Sequence, residues 1–331
     1  RDIMIFVENK NFDPALNHAI ELYLMENYDE DIFMLWRNRP CILIGRYQNI
    51  DLEVNLNFTN ANNMDVIRRL SGGGAIYCDT ENMQYSFITK KTGDDVDSSF
   101  KKFAKPVVNF LKSLGLNAEF TGRNDIQIDG AKVSGNAQYQ NKEKILHHGT
   151  FLFKANLYNL TNSLKSRDIK FKGKAVQSVR SRVGFIGDMI DMDVETFMDK
   201  AIEYIKNEYK ITGTTFLTEE EMKKIYEIRD SLFATKDWNY GNGSLKKNRK
   251  AEKYSCGVVE IGIDIENETI KDISIEGDFF SELGIDKLCS ILKGVQYSKE
   301  AIEEALKDIE IDRYIKSMDK KVFIDDITKL F

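Results

Sequence analysis

The residues of this chain best suited to chemistry fall in three short clusters. The densest is Arg68-Arg69-Leu70-Ser71-Gly72-Gly73-Gly74-Ala75-Ile76-Tyr77-Cys78-Asp79. Three consecutive glycines remove side-chain bulk, so backbone N–H groups can approach a ligand, and two arginines offer fork-shaped donors to an anion such as a phosphate. The same residues also read as a flexible hairpin turn flanked by solvated arginines. They match neither G-x-x-x-x-G-K-[ST] nor G-x-G-x-x-G, so neither a Walker loop nor a dinucleotide fold is supported. The second cluster is Gly122-Arg123-Asn124-Asp125 followed by Gly130-Ala131-Lys132-Val133-Ser134-Gly135. Period-two alternation sets Lys132 and Ser134 opposite Val133, just past a tight turn, where an ammonium can point into a cleft or into solvent. The third cluster, His147-His148-Gly149-Thr150, interrupts an apolar strand and by itself reads as a polar pair on an edge strand.

The elements that must position these clusters alternate between helix and strand. An apolar stripe at Leu16, Ala19, Ile20, Tyr23 and Leu24 predicts a helix, with Asp13 as cap and Pro14 in its first turn. Ile32 to Leu35 and Cys41 to Ile44 read as two buried strands joined by a turn, and Val66 to Leu70, Ala75 to Tyr77 and Tyr85 to Thr89 continue the strands around the glycine-rich bend. Phe100, Phe103, Val107, Phe110, Leu111 and Leu114 share a helical face ending at Gly115. Asp125 to Ile128 and Lys132 to Ser134 form a hairpin about Asp129-Gly130, and Ile145 to Phe153 follows as a strand. Helical spacing returns at Phe197 to Ile205 and at Met222 to Phe233, the latter opened by a Thr218/Glu221 capping box. Residues 243–253 are polar, basic and non-periodic and read as a linker. A small α+β tail follows, with alternation at Val259 to Ile265 and Ile273 to Ile275. The expected division is therefore 1–242, a linker at 243–253, and 254–331.

Composition narrows the classes. The chain has 331 residues, which fits two domains at roughly 150 residues each. Apolar residues at 42% and charged residues at 30% supply a core and argue against disorder. No apolar run approaches the roughly 20 residues of a membrane span, and no secretory signal is recognised at the start, so no membrane and a cytoplasmic location are expected. A net charge of −6 argues against a general nucleic-acid binder. Cys41, Cys78, Cys256 and Cys289 form no C-x-x-C pair, and only His18, His147 and His148 are present, so a structural zinc site or a zinc hydrolase is not advertised.

In their order, the three clusters resemble the lipoate-protein ligases. That family's paired arginines with S-G-G-G-A and a following Asp are met by Arg68 to Asp79, its G-R-N-D by Gly122 to Asp125, its K-[VI]-S-G by Lys132 to Gly135 and its H-H-G-T by His147 to Thr150. Flanking matches include Leu35-Trp36-Arg37-Asn38, Ile44-Gly45-Arg46, Ser178-Val179-Arg180-Ser181-Arg182-Val183 and, in an accessory domain, Gly277-Asp278-Phe279-Phe280. The resemblance implies an α/β (α+β) fold, with a mixed-sheet catalytic domain related to biotin-protein ligases and a small α+β C-terminal accessory domain. It implies ATP-dependent formation of lipoyl-adenylate, then transfer to a lysine of acceptor lipoyl domains or of the glycine cleavage H protein. By similarity Arg69 binds phosphate, the backbone of Gly74, Ala75, Ile76 and Tyr77 lines the adenylate, and Lys132 touches phosphate and acyl carbonyl as the catalytic cation. Asn124 and Asp125 hold Lys132 or Mg2+, with Asp125 the candidate metal ligand, and Ser71, Gly73 and His148 face lipoate. From Lys165 to Arg182 seven basic residues accompany only Asp168, a segment expected to close over the adenylate or to dock an acidic acceptor. The chain departs from the family pattern at Cys78, where His is usual, and at Glu81, where Gly is usual. The first departure raises a rival reading, an ATP-independent octanoyl or lipoyl transferase with Cys78 as nucleophile and His148 as its base.

Overall fold

A computed structural model describes residues 3–167, 183–241 and 245–330. Most of the basic Lys165–Arg182 segment, including Lys170, Lys172 and Lys174, and the motif from Ser178 to Arg182 lie outside the described residues. The main sheet has seven strands in the spatial order β1 (Met4–Phe6), β2 (Asp31–Trp36), β6 (Met83–Lys90), β10 (Lys144–Phe151), β9 (Ala131–Gln140), β8 (Asp125–Ile128) and β7 (Ala118–Thr121). The pair β1·β2 is parallel and the other pairs are antiparallel. Beside it lies a small mixed sheet, β4 (Asp65–Arg68), β3 (Cys41–Ile44) and β5 (Ile76–Cys78). A third sheet is formed by β11 (Asn248–Tyr254), β12 (Gly257–Glu266) and β13 (Thr269–Gly277).

Both faces of the main sheet are covered, which is why β2 reads Ile-Phe-Met-Leu-Trp without polar alternation. Ile32, Met34 and Trp36 point to a core shared with helix α1 (Pro14–Asn27) and the small sheet. Phe33 and Leu35 point the other way, where Tyr85, Phe87 and Phe151 meet the helices Val96–Ser113 and Val194–Glu208. Helix α1 starts as expected: the Asp13 carboxylate accepts from the backbone N–H of Ala15 and Leu16 at 3.0 and 3.3 Å, satisfying donors that have no intrahelical partner. The Thr218/Glu221 capping box is also present.

The runs at 32–35 and 41–44 are two buried strands joined by a turn, as expected, and they enter different sheets: β2 joins the main sheet and β3 the small one, so the turn at Arg39-Pro40 carries the chain between layers. One expectation is corrected. Residues 248–253, expected in the linker, are strand β11, in register with β12 from Asn248↔Ile263 to Tyr254↔Gly257. Their charges hid the strand because they find partners on the third sheet: Arg249 Nη1 lies 2.6 Å from Glu260 Oε1, the cross-strand pairing that lets an edge strand stay polar.

The third sheet packs Val259, Ile261 and Ile263 with Ile273 and Ile275 against Leu288, Leu292, Ile302 and Phe323 from the C-terminal helices. It meets the preceding part of the chain through the turn after β13. Gly277 donates its N–H to Tyr47 O at 2.8 Å, the Tyr47 and Phe279 rings stack at 5.1 Å, and the Arg123 guanidinium lies 4.6 Å from the Phe280 ring centroid.

Candidate active site

The glycine-rich segment is the crossing from β4 to β5, and its two arginines hold it in place. The buried Arg68 side chain donates to the carbonyls of Gly45, Arg46, Gln48, Trp238 and Asn239 at 2.6–3.2 Å. Arg69 donates to Leu43 O at 3.0 Å and to Gly72 O and Gly74 O at 2.9 Å. Burial draws the Arg69 guanidinium down to about 10, still cationic at neutral pH. The loop is tight at its first two glycines: Gly73 adopts φ +95°, a region that disfavours a Cβ. A Cβ on Gly45 would run into the Gly73 carbonyl, and one on Gly72 into that of Phe279.

The second cluster is arranged around Lys132 at the start of β9, whose Nζ lies 2.8 Å from Asp125 Oδ1 on β8. The side chain passes Gly135, where an added Cβ would sit 3.3 Å from Nζ. Gly135 N–H donates to Thr150 Oγ1 at 3.1 Å, tying this motif to the third cluster. Asn124 and Asn136 exchange amide-to-carbonyl bonds at 2.8 and 3.0 Å. Asn136 Oδ1 also accepts from the Tyr85 hydroxyl and from His147 Nε2 at 3.1 Å. Gly149 is what leaves room there, since a Cβ would overlap both Asn136 Oδ1 and the Tyr85 hydroxyl. Gln138 Nε2 donates to His147 Nδ1 at 2.9 Å, which assigns the proton of the neutral ring to Nε2. Burial, helped by His148, holds the His147 pKa well below the usual histidine range.

The two histidines serve opposite faces of β10, an interior strand and not the edge strand expected from sequence. His148 Nδ1 lies 3.0 Å from Glu21 Oε1 on α1, and its Nε2 2.5 Å from Ser71 Oγ. Glu21 also accepts from Ser86 Oγ at 2.6 Å, and Ser86 from Trp36 Nε1 at 2.8 Å. Burial alone would raise the Glu21 carboxyl, but the charge and hydrogen bond of His148, with His18 and Ser86, overcome it and hold the group below its ordinary value.

These parts enclose a cavity of about 170 Å3. Gly73, Gly74, Ala75, Ile76, Asn124 and Lys132 line it, together with Asn136, His148, Gln84, Trp36, Leu43 and His18. The strand order places Lys132 on β9 three strand spacings from Trp36 on β2, roughly 14 Å. A narrow slot therefore runs across the sheet from a cation to an aromatic floor beside α1. Of the residues singled out by sequence, Ser71, Tyr77 and Asp125 do not line it: Ser71 acts through His148, Asp125 through Lys132, and the Tyr77 hydroxyl accepts from Asn159 Nδ2 at 3.3 Å. Sequence reading missed His18, Glu21, Gln84 and Asn136 as members of the site. For His18 and Glu21 a signal existed, two polar residues among the apolar positions of α1.

A wider cavity of about 730 Å3 lies between the third sheet and the rest of the chain, where Arg46 sits 4.4 Å over the Trp238 ring. Apart from Arg68 and Leu70 it borders none of the three clusters. No group of three or more His, Cys, Asp or Glu side chains able to hold a metal gathers among the described residues. Cys78 is buried, accepts from Gln84 Nε2 at 3.2 Å and faces Cys41 across β3·β5. His148, committed to Ser71 and Glu21, is not its base.

The model of the lipoyl protein ligase A/B catalytic domain matches residues 13–206, and that of the bacterial lipoate protein ligase C-terminus residues 246–327. The chain is 36% identical to the lipoate-protein ligase LplJ of Bacillus subtilis and 38% identical to lipoate-protein ligase 1 of Staphylococcus aureus, each over 97% of this chain and 99% of the relative. Among solved structures, that of Plasmodium falciparum LipL1 in complex with lipoate superposes with a TM-score of 0.81 at 26% identity, covering 98% of both chains. A lipoate-protein ligase A bound with ATP superposes at 0.62 and 25% identity, over 73% of this chain and 99% of the other. A bipartite archaeal ligase from Thermoplasma acidophilum, described with its E2 lipoyl domain, superposes at 0.65 and 26% identity, over 75% of this chain and 99% of the other.

Proposed function

The chain belongs to the lipoate-protein ligase family, and from that premise we propose that it activates lipoate with ATP and transfers the lipoyl group from lipoyl-AMP to a lysine of an acceptor lipoyl domain. The observation that carries this is the Lys132–Asp125 pair at one end of a slot bounded by the Gly73–Ile76 loop. Lipoate enters tail first, its carboxylate beside Lys132. In the first step a carboxylate oxygen attacks the α-phosphorus and the bond to pyrophosphate breaks. In the second the acceptor ε-amino group attacks the acyl carbon, the bond to AMP breaks, and the nitrogen loses a proton.

Lys132 faces charge that grows first on the phosphoryl and then on the acyl oxygen, so one cation serves both transition states. Asp125 aims it, and the Asn124–Asn136–Tyr85 network fixes the β8–β9 strands on which both stand. The loop held by Arg69 presents backbone N–H groups to the adenylate. Mg2+, carried by the triphosphate, would be held at Asp125, alone among nearby carboxylates of the described residues and with one oxygen already meeting Lys132, an arrangement compatible with an ion that keeps several waters and takes only one or two protein carboxylates; it would offset charge on the departing pyrophosphate. The relative described with an E2 lipoyl domain supports such an acceptor, and the glycine cleavage H protein is a second candidate.

The test is intact-mass analysis of an apo lipoyl domain incubated with the protein and lipoate, with and without Mg-ATP. Lipoylation in the ATP arm alone is expected, with Lys132→Ala slower by about 10²–10³. Modification without ATP, or an unimpaired Lys132→Ala, would refute the scheme.

A further inference from the structure

The polar atoms near the aromatic floor of the slot are nearly all accounted for. Trp36 Nε1 donates to Ser86, both ring nitrogens of His148 are engaged, and the Gln84 side chain donates to Cys78 and accepts from Asn38 Nδ2 at 3.1 Å. His18 is the exception. Its ring lies between Trp36, 5.5 Å away edge-on, and Phe233, 5.8 Å away. Nδ1 lies 2.7 Å from Pro14 O, and because a carbonyl can only accept, Nδ1 carries a proton. Burial keeps the ring from taking a second one at neutral pH. Nε2 is therefore a bare acceptor, shut off from bulk solvent and without a partner among the described residues, on a residue that lines the cavity.

We propose that His18 Nε2 makes this ligase selective for acids whose tail donates a hydrogen bond, so that the reduced, dithiol form of lipoate is preferred over the closed dithiolane. The proposal rests on the ligase function above. A dithiolane sulfur and an octanoate methyl have no proton to give, and each leaves the acceptor unpaired when it fills the slot. A thiol S–H is a donor, if a weak one. Leaving a buried acceptor unmet is what a polar site penalises most. The fork in outcome is set by the tautomer: with the proton on Nε2 the ring would instead favour the dithiolane sulfurs, and the Pro14 carbonyl rules that out.

Dissociation constants for lipoate, octanoate and dihydrolipoate, the last kept reduced anaerobically with a phosphine, are measured by calorimetry on the wild-type full chain and on His18→Phe. The wild type is expected to bind dihydrolipoate about three- to tenfold more tightly than lipoate, and the ratio to fall to about one in His18→Phe. Equal or tighter binding of lipoate by the wild type, or a preference that survives in His18→Phe, overturns the proposal. If His18→Phe does not fold, 8-hydroxyoctanoate against octanoate on the wild type decides: tighter binding of the hydroxy acid supports it, and equality overturns it. Wild type that binds none of these acids would overturn the ligase function itself, a result distinct from binding without preference.

Discussion

Arg69 separates two accounts of how the glycine loop works. As a phosphate-binding cation it would be replaceable, in part, by any buried positive charge. As the structure has it, the guanidinium is a three-way tie, donating to Leu43 O, Gly72 O and Gly74 O at 2.9–3.0 Å. An ammonium on the shorter, unforked lysine side chain reaches one of these carbonyls and leaves at least two without a charged donor. At about 1.5 kcal/mol for each such bond, Arg69→Lys loosens the loop by about 3 kcal/mol, which is about two orders of magnitude in the ratio of ordered to loosened loop. Where the ordered loop is needed only to meet the transition state, the backbone N–H groups of residues 74–76 are placed at that cost. Lipoate-dependent exchange of pyrophosphate into ATP isolates the first step, and its kcat/KM is expected to fall about 100-fold in Arg69→Lys, nearly as far as in Arg69→Met. Activity in Arg69→Lys within about threefold of wild type would show that the charge, not the fork, is what matters.

Two further expectations are simpler. Cys78→Ser should keep ATP-dependent lipoylation within about threefold of wild type, because the thiol has no base among the described residues and faces Cys41 and Gln84; loss of all activity in the mass assay would revive the thiol mechanism. Stability should fall as the pH drops below about 6.5. Burial lowers the His18 pKa from 6.5 to about 4, so between those values the unfolded chain takes up a proton that the fold refuses. The contribution is full above pH 6.5 and is lost on the way down to about 4, amounting to about 3 kcal/mol. In urea unfolding the wild type should therefore lose about 3 kcal/mol against His18→Phe as the pH falls from 6.5 to about 4, and parallel curves would contradict the assignment.

How much could be read from the chain alone depended on whether a residue's partner was local. Asp13 and Thr218 cap helices through neighbours two or three positions away, and both were legible. Cys41 to Ile44 announced a strand, but which sheet it enters is decided by its contacts with β4 and β5, tens of residues later. β11 was hidden because its alternating apolar signal is replaced by charges that pair on the sheet itself, Arg249 with Glu260 and Lys250 with Glu252. In the site, the motif residues themselves stood out, whereas their supports did not. Glu21 reaches His148 from 127 positions away and Asn136 is one polar residue among several on β9, so nothing in their spacing gives them away. Arg69 was read as a ligand group, and its bonds to the loop carbonyls belong to a crossing that only the folded chain makes.

The slot lies across the strands of the main sheet and not along them, and this makes the sheet a ruler. Its length is counted in strand spacings from Lys132 on β9 to Trp36 on β2, each about 4.8 Å, and that count cannot change without rebuilding the fold. Fine adjustment is left to the side chains at the far mark, His18 and Trp36. Under the proposed function, divergence toward shorter or longer acids can therefore proceed by trimming or enlarging those two residues while Lys132, three strands away, is untouched.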